Sequence, residues 1–330
     1  MKISVVLGLS VLASIGLPAP VDLDSFFTKK DVTIVVTDSG LGGLSIMAEG
    51  AALLKEAKIF RSVNLVFFNA LFSNESGYNS LKTRSEKIDV FQSALESLMK
   101  NYRPDLVLIG CNTLSVLYPE TPLAKSARVP VLDIVEPGVA LAAAGLRQDP
   151  ASVVLIFGTE TTISEGDHRK RLEALGYSKE RIIGQACPEL AGYIEKNSGS
   201  EDTGILVEYF VDEGLAQLRG RKAPLLISLN CTHYGYALDF WTKALESRGI
   251  KSYSILNPNR TMAQALVRSG DRGRYAHTTL KAKVVSMVGI ERQKIDSLGA
   301  WLAKLSPGVA AALAGYELKP DLFEWKKFVR

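Results

Sequence analysis

Eight short runs of β-branched and other apolar residues, with few polar interruptions, constrain this chain more than any other feature. They fall at Val32–Thr37, Val63–Phe68, Leu106–Ile109, Val131–Ile134, Val153–Phe157, Arg181–Gly184, Leu225–Leu229 and Tyr253–Leu256. Helical spacing fills the intervals, at Leu44–Ala57, Ser85–Asn101, Gly138–Leu146, Glu165–Leu175 and Gly204–Leu218. A strand that is apolar on both faces must be covered on both, and strands alternating with helices achieve this as parallel sheets. The expected class is therefore α/β. In such sheets a ligand sits past the carboxyl ends of the strands, where the chain turns into the next helix.

The residues at those strand ends form two pairs. "TIVVT" runs into Asp38-Ser39-Gly40 and "VVLIFG" into Thr159-Glu160-Thr161-Thr162, while "LVLIG" runs into Cys111-Asn112-Thr113 and "LLISLN" into Cys231-Thr232-His233. Positions 38 and 158 are 120 residues apart, and so are 111 and 231. Equal spacing with matched chemistry points to a duplicated α/β unit. Two such units facing one another would set a thiol on each side of a shared cleft. That arrangement suits moving a proton from one face of a carbon to the other, one thiolate acting as base and the opposite thiol as acid. His233 can assist proton transfer at Cys231, and Asp38 can do so at Cys111. The neighbouring Ser, Thr and Asn side chains supply uncharged hydrogen-bonding groups for a carboxylate and an ammonium.

The remaining composition narrows the alternatives. Three cysteines, Cys111, Cys187 and Cys231, with no C-x-x-C pair, argue against a disulfide scaffold and a structural zinc site. Cys187 is read as a packing residue. No lysine stands in an obvious position for a pyridoxal phosphate Schiff base, and "GLGG" lacks the spacing of a nucleotide-binding loop. His168 and His277 have no partner pattern, so surface or helix-end positions are expected for them. The net charge is +4, with both signs mixed along the chain, which calls for no nucleic-acid partner.

The motifs together resemble the cofactor-independent glutamate racemases, within the aspartate/glutamate racemase superfamily. "VVTDSGLGGLSIM" resembles that family's opening motif, and "IGCNTLSVL" and "NCTHYGY" its two catalytic-cysteine motifs. "DIVEPGVALA", "FGTETTISEG" and "ACPELAGYIE" correspond in order and approximate spacing, so the likeness runs from about residue 31 to 265. The resemblance implies two pseudo-symmetric, doubly wound parallel-sheet domains with the active site in the cleft between them. It implies interconversion of L- and D-glutamate, with no cofactor or metal, on a small-molecule amino-acid substrate. Cys111 and Cys231 would be the two bases, Asp38 supporting the first and His233 and Glu195 the second. Ser39, Asn112, Thr113, Thr159, Thr161 and Thr232 would hold the substrate's α-amino and carboxylate groups. D-Glutamate for peptidoglycan is the family's usual product destination.

There are departures from the family pattern. Asn69-Ala70 stands where the family has an Asp-Thr pair, Gly77-Tyr78-Asn79 replaces a Pro-Tyr-Gly turn, and Asn230 replaces a small residue before the second cysteine. Beyond about residue 270 the chain reads as helical and has no clear family counterpart. The altered loop keeps aspartate or another amino acid open as substrate, and an exported amino-acid-binding protein without turnover is the reading from another class. The expected domains are residues 31–129 with about 240–330, and residues 130–239. The start of the chain, "ISVVLGLSVLASIGLPAP", suits the apolar part of a secretory signal over residues 1–20. Export to a periplasmic or outside compartment is then expected, with no stable membrane insertion after removal of the signal; a cytoplasmic location is the alternative. Free thiols pull against export, since such compartments oxidise them. A homodimer is compatible with the sequence.

Overall fold

The computed structural model describes residues 23–329, and the leader expected over residues 1–20 lies outside them. Among the described residues, ten strands form two sheets. The first is built from β1 (Asp31–Asp38), β2 (Ser62–Asn69), β3 (Leu106–Ile109), β4 (Val131–Asp133), β9 (Thr279–Ser286) and β10 (Glu317–Leu318). The second contains β5 (Val153–Gly158), β6 (Ile182–Ala186), β7 (Leu225–Asn230) and β8 (Tyr253–Leu256). The first has the order β10-β9-β2-β1-β3-β4 and the second β6-β5-β7-β8. Every pairing is parallel.

Strip β9 and β10 from the first sheet and the two orders coincide: β2-β1-β3-β4 matches β6-β5-β7-β8. The repeat inferred from the spacing is therefore a repeat of topology, and it places β3 and β7 in equivalent positions. Each half needs its fourth strand to complete that order. β4 belongs to the first sheet and β8 to the second.

Both faces of the strands are buried, as their apolar runs require. In β1, Ile34 and Val36 enter one core cluster and Val35 the other. In β5, Val153, Leu155 and Phe157 take the first side and Val154 and Ile156 the second. Each cluster draws on both sheets, so the halves share apolar packing as well as polar contacts. Trp241 fills the first cluster beside Phe157, with ring centroids 4.8 Å apart.

The C-terminal stretch departs from the expected all-helical reading. It opens with β9, which pairs along its full length with β2, from Ser62 against Thr279 to Asn69 against Ser286. Only its last three residues, Val284, Val285 and Ser286, are buried; the rest alternates between exposed and half-buried, as suits a strand that covers a sheet edge. Helices Arg292–Ala303 and Pro307–Ala314 follow. The final residues then return to the opposite face of the first sheet, where Phe323 packs on Phe68 and Trp325 on Phe72. Among the described residues, no helix is long and apolar enough to cross a membrane.

Candidate active site

β1 ends at Asp38, and the next four residues turn the chain toward the second half of the molecule. Asp38 is buried, and its Oδ2 accepts a hydrogen bond of 2.7 Å from the Thr232 hydroxyl, which belongs to the turn after β7. Ser39 Oγ lies 3.1 Å from Cys111 Sγ. The glycines of "SGLGG" are where the two halves touch. A Cβ at Gly42 would stand 2.2 Å from Thr232 Oγ1 and 2.8 Å from the His233 backbone nitrogen. One at Gly40 would stand 2.8 Å from Glu195 Oε1. These glycines serve close approach of backbone to side chain rather than phosphate binding.

Cys111 follows β3 and begins a short helical turn, Asn112–Ser115. It is buried, and burial together with the nearby Asp38 charge pushes its thiol well up, against the smaller opposing effect of the Ser39 hydroxyl. Burial likewise raises the Asp38 carboxyl, partly countered by the positive charge of His233 and the Thr232 hydroxyl.

Cys231 occupies the equivalent place after β7, and its surroundings are of another kind. Its Sγ lies 3.5 Å from His233 Nδ1. His233 Nε2 in turn lies 2.7 Å from Glu195 Oε1, on the helix Leu190–Asn197. The same oxygen accepts the Leu41 backbone N–H at 2.7 Å, and Oε2 lies 3.1 Å from Lys294 Nζ. Burial works against charge on both partners. Yet the Cys231 sulfur and the Glu195 carboxylate hold His233 well above the usual imidazole value. Burial would raise Glu195, but His233, Lys294 and the Leu41 N–H outweigh it and hold that carboxyl at about 2. Each partner thus favours the charged form of the other.

A second set of contacts crosses between the halves through threonines. Thr113 Oγ1 lies 2.9 Å from Thr159 Oγ1, which also caps its helix by accepting the Thr162 N–H at 3.3 Å. Thr161 accepts a hydrogen bond of 3.0 Å from Lys87 Nζ, on the helix Arg84–Tyr102. Asn112 is buried, and neither its Oδ1 nor its Nδ2 has a partner among the described residues. A buried amide left unpaired costs on the order of 1–3 kcal/mol, so a partner from outside the chain is the simplest account of it.

Ten of the eleven residues named as candidates therefore stand at or just past strand ends that face the junction of the halves, and Glu195 reaches the same place from its helix. Direct contacts tie Ser39 to Cys111, Asp38 to Thr232, and Glu195 through His233 to Cys231. Sequence reasoning passed over Lys294, Lys87 and the Leu41 N–H, and it also passed over Asn259, whose amide donates to Ser45 Oγ and the Thr232 carbonyl at 2.8 Å each. Lys294, Lys87 and Asn259 lie outside the quoted motifs, and Leu41 acts through its backbone, which no side-chain pattern marks. Cys187 is buried in the first core cluster, as its packing role requires. His168 lies in the first turn of the helix Asp167–Ala174, but it is buried rather than at the surface, and both ring nitrogens lack partners among the described residues. It and the Asn230 amide oxygen converge on Gly138, whose missing side chain leaves the room.

Two parallel-sheet halves of one topology, each presenting a cysteine at the same strand end, have the architecture of an amino-acid racemase, an isomerase. No protein-family model matches the chain. It is 30% identical over 203 residues to the glutamate racemase of a Nitratiruptor species, covering 60% of this chain and 70% of that protein. It is 27% identical over 230 residues to glutamate racemase 3 of Caldanaerobacter subterraneus subsp. tengcongensis, covering 70% of this chain and 75% of the relative. The crystal structure of glutamate racemase from Campylobacter jejuni superposes with a TM-score of 0.59 at 21% identity, over 83% of this chain and 99% of that one. That of Francisella tularensis, in complex with D-glutamate, gives 0.60 at 17% identity, over 87% and 95%. The chain belongs to the glutamate racemase family.

Proposed function

We infer that this racemase interconverts L- and D-glutamate by a two-thiol proton transfer at the α-carbon. In one direction Cys231 takes the α-proton as thiolate and Cys111 delivers a proton to the opposite face; in the other direction the roles exchange. The observation that carries the reading is the equivalent placement of Cys111 and Cys231 after β3 and β7, with Asp38 bonded across to Thr232 between them. The names of the relatives support glutamate as substrate, and the D-glutamate in the Francisella structure supports a ligand of that size and charge.

The two supporting groups divide the work. His233, held charged against Glu195 with its Nδ1 3.5 Å from the Cys231 sulfur, is placed to exchange a proton with that thiol. Asp38 faces Cys111 and favours its protonated form, which poises that thiol as acid. Ser39, Thr113, Thr159, Thr161, Thr232 and the unpartnered Asn112 amide would hold the ammonium and carboxylate.

Incubation with L- or D-glutamate in deuterated buffer, under reducing conditions and without added cofactor, tests the reading. Interconversion of the enantiomers with deuterium appearing at Cα is the expected result. Racemisation of aspartate alone would reassign the substrate, and tight glutamate binding without exchange would convert the reading to a binding protein. Export is a separate proposal. It rests on the apolar run of residues 3–20 alone, and amino-terminal sequencing of the native protein would show whether it is removed.

A further inference from the structure

Helix Arg292–Ala303 comes from the part of the chain that lies beyond the racemase motifs, yet it packs against the second cysteine's surroundings. Trp301 meets Tyr236 edge-on with centroids 4.7 Å apart, and the Ser198 backbone N–H at the end of the Glu195 helix donates to Ser297 Oγ at 3.3 Å. One turn earlier, Lys294 reaches Glu195 Oε2 at 3.1 Å. The contacts then run as a row: Lys294 Nζ to Glu195, Glu195 to His233 at 2.7 Å, and His233 to Cys231 at 3.5 Å.

The geometry points to Lys294 as a positioning residue for the Cys231 half of the reaction, acting through Glu195 and His233. This rests on the two-thiol reading above. When Cys231 is a thiolate and His233 an imidazolium, the row reads ammonium, carboxylate, imidazolium, thiolate, and its charges cancel. Without the ammonium the same row carries one net negative charge in a buried place, which disfavours forming the thiolate. Glu195 Oε2 would also lose its ion-pair partner, freeing the carboxylate to turn away from His233.

The other titratable groups around the row do not replace this cation. Asp38 acts on His233, Tyr236 feels the charge of both Glu195 and Asp38, and Cys187 and Tyr234 feel that of Cys231. All of these are neutral or negative. The cation therefore has to come from outside the motifs, and the helix after β9 brings it.

The test uses the full-length protein with two variants, Lys294→Met and Lys294→Arg, and the pH profile of kcat/KM for glutamate. In Lys294→Met the acid limb should move up by about one pH unit, so that kcat/KM falls about tenfold below the limb and little above it. Lys294→Arg should restore the profile to within about threefold, because it keeps the charge and a donor. An unmoved limb in Lys294→Met, with the wild type active, overturns the role of Lys294 and leaves the racemase reading intact. A uniform loss at every pH that arginine does not repair also overturns it, since that would mark a packing role only. A wild type that neither racemises nor exchanges the α-hydrogen overturns the two-thiol reading and this inference with it.

Discussion

Cys111 and Cys231 follow equivalent strands of two sheets with the same order, but the groups around them differ in kind. On the Cys111 side stand a hydroxyl, Ser39, and a buried carboxylate, Asp38, whose charge opposes ionisation of the thiol. On the Cys231 side stand an imidazole, a carboxylate and an ammonium in line. Duplication of a topology thus repeats where a side chain is placed without repeating its electrostatics. A reaction with one hand toward each face of a carbon can use a symmetric scaffold and still hold its two protons differently.

The largest effects should come from the thiols themselves. Cys111→Ala and Cys231→Ala are each expected to lower racemisation by roughly a thousandfold or more, the scale of a lost acid–base group, as followed by chiral chromatography. If either variant keeps a tenth of the activity, the cysteines are not equal partners. The supporting carboxylates should separate the two sides. Glu195→Gln removes the charge that faces His233 and should lower kcat about a hundredfold, whereas Asp38→Asn, which keeps an acceptor for Thr232, should cost less than about tenfold. The reverse order would mean that the Cys111 side limits the rate.

Stability against pH sharpens the same contrast. Glu195 is held at about 2, below its ordinary 4.5, so its contribution is complete above about pH 4.5 and is lost as pH falls toward 2. His233 is raised above its ordinary 6.5, so its contribution is complete below that value and is lost as pH rises through its raised one. The difference in unfolding free energy between wild type and Glu195→Gln should therefore be on the order of 3 kcal/mol near pH 6 and shrink on acidification below about 4.5. Denaturant titrations at several pH values would read it, and a difference that stays constant with pH would refute the ionised pair. A smaller effect is expected at the junction loop. Gly42→Ala would drive a Cβ into Thr232 Oγ1 and should destabilise the fold by about 2 kcal/mol. The smallest belongs to Thr113→Val, which deletes one hydroxyl contact with Thr159 and should cost about 1 kcal/mol.

Much of this was legible beforehand, and the reason is locality. All eight expected strands are present, and only the Arg181–Gly184 run misses its strand's end by more than one residue, because a buried parallel strand is a continuous apolar run that any window shows. The cysteine motifs were legible for the same reason: each is a strand end followed by a turn. β9 was missed because only its last three residues are buried, and "LKAKVVS" alternates too weakly to separate from a helix. The departures at Asn69 and at the 72–78 loop find their account only in space. Asn69 Nδ2 donates to Ser286 Oγ of β9 at 3.1 Å, and Phe72 packs on both Tyr78 and Trp325. The altered loop and the C-terminal extension are thus one another's neighbours, a pairing that no local window contains.

The sequence by itself determined the strands, their order of appearance, the repeat of 120 residues and the positions of the two thiols, since periodicity and turn chemistry act over a few residues at a time. Only the tertiary structure decided what each thiol faces. Glu195 reaches His233 from a separate helix, the Leu41 N–H reaches Glu195 from the other half, and Lys294 arrives from beyond the last motif. Charge acts through space, and residues that share no periodicity carry no mark in the sequence of the partner they will meet.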